Sequence, residues 1–303
     1  MSEDNDEAKC CASCGVVEVD DVKLKNCTAC YLVRYCSVKC QKDHRPNHKR
    51  QCKKRAAELR DELLFKQPES SHVEDCPICC LPLSLDESKS VMQACCSKVI
   101  CHGCAYVNAL REAEASLDQR CPFCRKPVPS SNDEGEKYMM KRIEANDPVT
   151  LHQEGREQYE KGNYSSAFEY YSKAAELGDV EAQFQLARLY KYGHGVEKDR
   201  GKVMYHLEEA ISGGHPGARY NLGCEEERNG NIKRAVKHWI ISATQGHDSS
   251  IKALMNAFKR GLISKEEITA TLRAHQAAVD ATKSPQREVA DEYYRKLDNM
   301  HSC

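Results

Sequence analysis

The placing of the cysteines constrains this chain more than any other feature. Of nineteen cysteines in 303 residues, seventeen lie between Cys10 and Cys124, and only Cys224 and Cys303 lie beyond. That stretch is too poor in large apolar side chains to bury an ordinary core, so it needs cross-links or metal. The first nine residues, MSEDNDEAK, are acidic and hold no apolar stretch, so no secretory leader is expected. A reducing compartment, cytoplasmic or nuclear, is therefore the expected location. Structural disulfides are rare there, and paired cysteines point to metal.

Charge and hydropathy remove other classes. The chain has 45 basic and 46 acidic side chains, a formal net charge of −1, so it offers nucleic acid or a membrane surface no bulk attraction. No apolar run approaches the roughly 20 residues a membrane span needs. Residues 34–55 are locally basic. They read as compensation for negative thiolate–metal centres plus a solvated helix face, so nucleic acid is not an expected partner.

Composition divides the chain into segments. An acidic tail at 1–9 precedes a cysteine cluster at 10–52. Residues 53–72 begin as a charged amphipathic helix with Ala57, Leu59, Leu63 and Leu64, and break at Pro68, which makes them a helical linker. A second cysteine cluster fills 76–127. Residues 128–147 form a turn-rich linker entering a short helix. Helical periodicity runs over 148–282, and 283–303 is a C-terminal tail.

The helical part repeats itself. Ala182 matches Ala218 and Leu186 matches Leu222 at a spacing of 36, and Gly214 matches Gly246 at 32. An earlier copy spans 151–178 and a divergent one 247–280. Each reads as helix, turn, helix, closed by glycine. Such periods mean stacked hairpins that bury a core only together. The stretch ARLYKYGHGVEKD at 187–199, with the closures KAAELG at 173–178 and EEAISGG at 208–214, resembles the Sel-1-like repeat, a relative of the tetratricopeptide repeat. Trp239, the sole tryptophan, is expected between hairpins.

In the first cluster, two C-x-x-C pairs, Cys11/Cys14 and Cys27/Cys30, are followed by Cys36/Cys40 and His48/Cys52 at i, i+4 spacing. A C-x-x-C turn sets two sulfurs at the separation tetrahedral zinc needs, and i, i+4 places two ligands on one helix face. Eight soft ligands make two closed, structural sites. The run resembles a MYND finger, which implies interleaving: Cys11, Cys14, Cys36 and Cys40 on one zinc, and Cys27, Cys30, His48 and Cys52 on the other. Cys10 is an alternative to Cys11, and His44 reads as a solvated helix residue. MYND fingers bind short proline-containing peptides. Gln41 matches the residue they use, but Arg45 stands where they carry an aromatic wall, so weak peptide binding is expected.

The second cluster runs from CPICC at 76–80 through Cys95, Cys96, Cys101 and Cys104 to CPFCRKP at 121–127. It resembles a RING finger. Lys98 occupies the position of the usual histidine and, protonated, cannot ligate zinc. Cys95 and Cys96 are then both needed, with His102 as the competing fourth ligand and Cys80 as a small apolar filler. The resemblance implies a cross-brace: Cys76, Cys79, Cys101 and Cys104 on one zinc, and Cys95, Cys96, Cys121 and Cys124 on the other. It also implies that Ile78, Pro122 and Arg125 contact a ubiquitin-conjugating enzyme, beside a helix bearing Tyr106, Val107 and Leu110.

The expected fold is two small zinc-stabilised cross-brace modules followed by an all-α helical-hairpin repeat solenoid, with about four Zn²⁺ per chain. No residue is expected to do covalent chemistry. The resemblances imply a RING-type ubiquitin ligase whose MYND finger and repeats bind peptide or protein substrates. The alternative is a non-catalytic adaptor or scaffold.

Overall fold

The structure is a computed structural model that describes residues 10–68 and 72–301, with side chains through residue 297. The acidic tail at 1–9 lies outside the described residues. The chain divides into two compact units, Met1–Lys66 and Gln67–Cys303. The second cysteine cluster thus shares a unit with the repeats.

The first unit is two cysteine knuckles, a short ribbon and a long helix. In each knuckle the residue four after the first cysteine returns its N–H to that cysteine's carbonyl: Gly15 to Cys11 and Tyr31 to Cys27, both at 2.9 Å. These two residues hold the left-handed conformation that closes the turn, at φ 73° and 57°. Strands β1 (Lys25–Asn26) and β2 (Arg34–Tyr35) pair antiparallel, Lys25 opposite Tyr35. Helix α1 (Val38–Leu64) starts where the Ser37 side chain accepts the Cys40 N–H. It is one continuous helix, so the segment from 53 extends the helix that carries Cys40, His48 and Cys52. Cys36 precedes the cap and is not on the helix.

The second unit opens with the same knuckle twice. Cys80 N–H bonds Cys76 O at 2.8 Å, and Arg125 N–H bonds Cys121 O at 3.0 Å. Cys80 and Arg125 sit at φ 55° and 59°. Between the knuckles lie a hairpin, β3 (Ser90–Met92) with β4 (Val99–Cys101), and helix α2 (His102–Glu114). Cys80 is exposed and fills the turn position that Gly15, Tyr31 and Arg125 fill elsewhere. It is therefore not the apolar filler expected.

After α3 (Asn132–Glu144) come four helical hairpins. They are α4 (Pro148–Glu160) with α5 (Tyr164–Glu176), α6 (Val180–Tyr192) with α7 (Arg200–Ser212), α8 (Pro216–Arg228) with α9 (Ile232–Thr244), and α10 (Asp248–Lys259) with α11 (Lys265–Ala281). Asp147 and Asp179 cap α4 and α6 by accepting the N–H groups of Thr150 and Ala182. The matched alanines Ala182 and Ala218 are fully buried, and Trp239 packs in the core with Leu254 and Ala257.

Small and large residues alternate across the hairpins. A Cβ on Gly155 would lie 2.7 Å from the Tyr171 ring, and one on Gly223 2.6 Å from Trp239 Nε1. Ala187 and Leu207 occupy the equivalent positions of the hairpin between them, both buried. A larger ring on the second helix is matched by a missing methyl on the first. The segment expected as a C-terminal tail forms α12 (Pro285–His301), which packs against α2.

Candidate metal centres

Sixteen side chains gather into four tetrads. Cys11, Cys14, Cys36 and Cys40 form the first, and Cys27, Cys30, His48 and Cys52 the second. Cys76, Cys79, Cys101 and Cys104 form the third, and Cys95, Cys96, Cys121 and Cys124 the fourth. Within each, all four ligand atoms lie within 4.8 Å of one another. The sulfur separations include Cys14–Cys36 at 3.5 Å, Cys27–Cys52 at 3.7 Å, Cys79–Cys101 at 3.8 Å and Cys96–Cys121 at 3.6 Å. A tetrahedral zinc with Zn–S near 2.3 Å requires sulfurs about 3.8 Å apart, so the spacing fits. These cysteines are free, not disulfide-bonded. With four protein ligands each, the tetrads leave no open position for a substrate.

The electrostatics call for a cation. Burial would raise the Cys11 thiol, but N–H groups of Cys14, Cys36 and Ser13 bring it down to about 6. Cys76 falls to about 7 because the N–H groups of Cys101, Cys79 and Ile78 outweigh its burial. Neighbouring thiols then resist ionisation. Cys36 is pushed up to about 12 by Cys14, Cys40 and Cys11, and Cys52 to about 11 by burial and by Cys27 and Cys30. Burial and nearby sulfurs also raise Cys95 and Cys104. Four sulfurs at these distances all ionise only around a cation.

His48 is buried, with Nε2 3.2 Å from Cys30 Sγ. His44 is not solvated as expected. Its ring stacks on His48 at 5.6 Å and its Nδ1 meets the Tyr35 hydroxyl at 3.1 Å, which props the ligand ring. Cys10 stays outside the tetrads. Cys95 and Cys96 both reach the fourth tetrad through the turn after β3, where the N–H groups of Cys96 and Ser97 both bond Gln93 O. Lys98 is exposed, and His102 lies against Tyr294, 4.3 Å between rings.

The residues matched to conjugating-enzyme contacts are on the surface. Ile78 is 43% exposed in one knuckle, Pro122 is half-buried in the other, and Arg125 is exposed. On α2, Val107 and Leu110 are exposed, but Tyr106 is turned onto Tyr293 of α12 at 4.9 Å. On α1, Arg45 is exposed and Gln41 half-buried.

A fifth cluster was not legible in the sequence. Glu181 Oε2 is 2.7 Å from His215 Nε2 and 3.4 Å from His72 Nε2, and the two imidazoles stack at 4.2 Å. Burial would raise the Glu181 carboxyl, but its bonds to His215 and His72 hold it well below the usual range. His215 Nδ1 accepts the Ala218 N–H at 3.0 Å, so a neutral ring carries its proton on Nε2 and donates it to Glu181. A metal ligand normally donates from its other nitrogen. The geometry therefore favours a proton over a metal here. The available sequence signal was His215 at the cap position that Asp179 holds one hairpin earlier.

Residues 11–52 match the family model described as MYND finger, and 150–179, 180–215 and 216–247 match the Sel1 repeat. The chain carries a MYND finger and Sel1 repeats. The MYND finger binds zinc, and the tetrads together could hold about four zinc ions. The finger and the repeats point to protein partners. Among curated proteins the chain is similar to chitin synthase regulatory factor 4 of Schizosaccharomyces pombe, 31% identical over 86 residues, covering 28% of this chain and 14% of that one. It is also similar to DAP3-binding cell death enhancer 1 of Mus musculus, 23% identical over 180 residues, covering 46% of this chain and 35% of that one. It thus spans about a seventh and about a third of these relatives' lengths. A solved Sel1 repeat protein from Oxalobacter formigenes is 22% identical with a TM-score of 0.42, covering 58% of this chain and 52% of that one.

Proposed function

We propose that this chain is a protein-binding adaptor whose second cysteine module is a RING-type finger recruiting a ubiquitin-conjugating enzyme. The observation that carries the reading is the interleaving of the third and fourth tetrads. The first and third cysteine pairs share one centre, and the doublet and last pair share the other. That cross-brace sets Ile78 and Arg125 on two matched knuckles, both open to solvent. Ile78 would insert between loops of the enzyme, where loss of a buried apolar anchor costs about 2 kcal/mol or more. Arg125 would donate hydrogen bonds to enzyme and ubiquitin together. The MYND finger and the repeats would select the substrate.

The test is discharge of ubiquitin from a panel of conjugating-enzyme thioesters. Ile78→Ala is expected to weaken enzyme binding. Arg125→Ala is expected to leave binding nearly intact and slow discharge. Both variants keep their zinc, because neither residue is in a tetrad. If zinc-loaded wild type stimulates no member of the panel, the chain is a non-catalytic adaptor. One observation favours that second reading: α12 covers the Tyr106 flank of α2.

A further inference from the structure

Arg287, the third residue of α12, is 7% exposed and directs its guanidinium into the second cysteine module. Nη1 donates to Pro82 O at 2.6 Å and to Thr282 O at 2.7 Å. Nη2 donates to Leu81 O at 3.0 Å and to Cys79 Sγ at 3.3 Å. Leu81 and Pro82 belong to the segment leaving the Cys76 knuckle, so one side chain grips both that segment and a sulfur of the third tetrad. Beside it, Gln286 Nε2 donates to Gly103 O at 3.0 Å.

The approach depends on residue 103 lacking a side chain. A Cβ on Gly103 would lie 3.0 Å from Arg287 Cγ and 3.1 Å from its Cα and N. Beyond that crossing, the His102–Tyr294 and Tyr106–Tyr293 ring pairs and a Lys89–Asp291 ion pair at 3.4 Å continue the seam.

A zinc held by four thiolates carries a net charge of −2. A cationic N–H aimed at one sulfur lowers the electrostatic cost of gathering them, and groups that hydrogen-bond metal ligands commonly change metal affinity about 10–100-fold. We propose that Arg287 is an outer-sphere partner of the centre formed by Cys76, Cys79, Cys101 and Cys104, and that this centre keeps its metal only while α12 is docked. The proposal rests on the zinc reading of those four cysteines.

The experiment uses the full chain loaded with Zn²⁺ and follows its release to a competing chelator. Stoichiometry of the wild type tests the zinc reading by itself, and an absence of metal from this tetrad overturns both. In Arg287→Met, one of about four ions is expected to leave at least tenfold faster. Arg287→Lys, which keeps the charge but loses the fork, should fall between. Gly103→Ala alters neither Arg287 nor any ligand, yet should also quicken release of the same ion, because its Cβ crowds the Arg287 backbone and pushes α12 outward by a few tenths of an ångström. In Co²⁺-substituted protein, losing the N–H···S bond raises the sulfur lone pair, so the sulfur-to-cobalt band of Arg287→Met should move to lower energy. Wild-type release of all ions from variants whose residues 285–297 have lost hydrogen-exchange protection overturns the proposal. A fast ion with an unmoved band overturns the outer-sphere bond.

Discussion

Cys95 and Cys96 both belong to the fourth tetrad, and Lys98 is exposed outside it. Adjacent cysteines can share one tetrahedron because the bonds to Gln93 O fold the turn tightly between them. Changing either to Ser should leave three ligands and release about one zinc per chain, read by elemental analysis. Lys98→Ala and His102→Ala should release none. Release from His102→Ala alone would mean that the doublet is not the ligand pair. At this scale the sequence was most informative, because C-x-x-C and i, i+4 spacings encode local geometry directly. It was silent about residues that act through a neighbour. Nothing in the string distinguishes His44, which props His48, from a solvated histidine. By residue type alone Cys80 reads as a core residue, and only its turn position sets it on the surface.

Helix starts show how a repeated element can be altered without changing its shape. Asp147 and Asp179 hold the cap position of the first two hairpins, and His215 and His247 hold it in the next two. His247 Nδ1 meets Ser250 Oγ at 2.9 Å. Ser250 donates to Ser242 Oγ, and Ser242 to Pro216 O, which ties α8, α9 and α10 together. Burial, with nearby His215, lowers the His247 imidazole from 6.5 to about 4, although Asp248 opposes this. The folded value lies below the unfolded one, so the contribution is complete above pH 6.5 and is lost as pH falls toward 4. Its upper size is about 3 kcal/mol. Hydrogen-exchange protection in α8–α10, taken relative to the intrinsic exchange rate at each pH, should therefore fall as pH drops across that window, and His247→Asn should flatten the response. An unchanged slope in the variant would assign the acid sensitivity elsewhere. The hairpins themselves were legible because period, alanine spacing and closing glycines are local signals. Helix α12 was not, since its apolar face matches α2 rather than its chain neighbours.

Across the whole chain, metal and hydrophobic packing divide the work unevenly. The first unit holds two tetrads and one long helix. The second holds two tetrads and the repeats. The cysteine count suggested a metal-folded half and a helical half, but the second module shares the compactness of the repeats. Its Ser97 hydroxyl meets Thr150 Oγ1 of α4 at 2.7 Å, and Arg142 donates to the same hydroxyl. A chelator should therefore remove exchange protection from residues 10–52, 76–127 and 285–297 while α4–α9 stay protected. Loss of protection throughout α4–α9 would show that the solenoid depends on metal as well.

The grip of Arg287 on Cys79 also has a consequence in time. The two residues are 208 positions apart. A ribosome adding about 5–20 residues per second completes Arg287 roughly 10–40 s after Cys79. The cysteine module is thus made long before its clasp, and the hairpins emerge and stack in the interval. Any ion taken up during that interval sits in a centre still without its clasp, and α12 reaches that centre only after the four hairpins before it have been made.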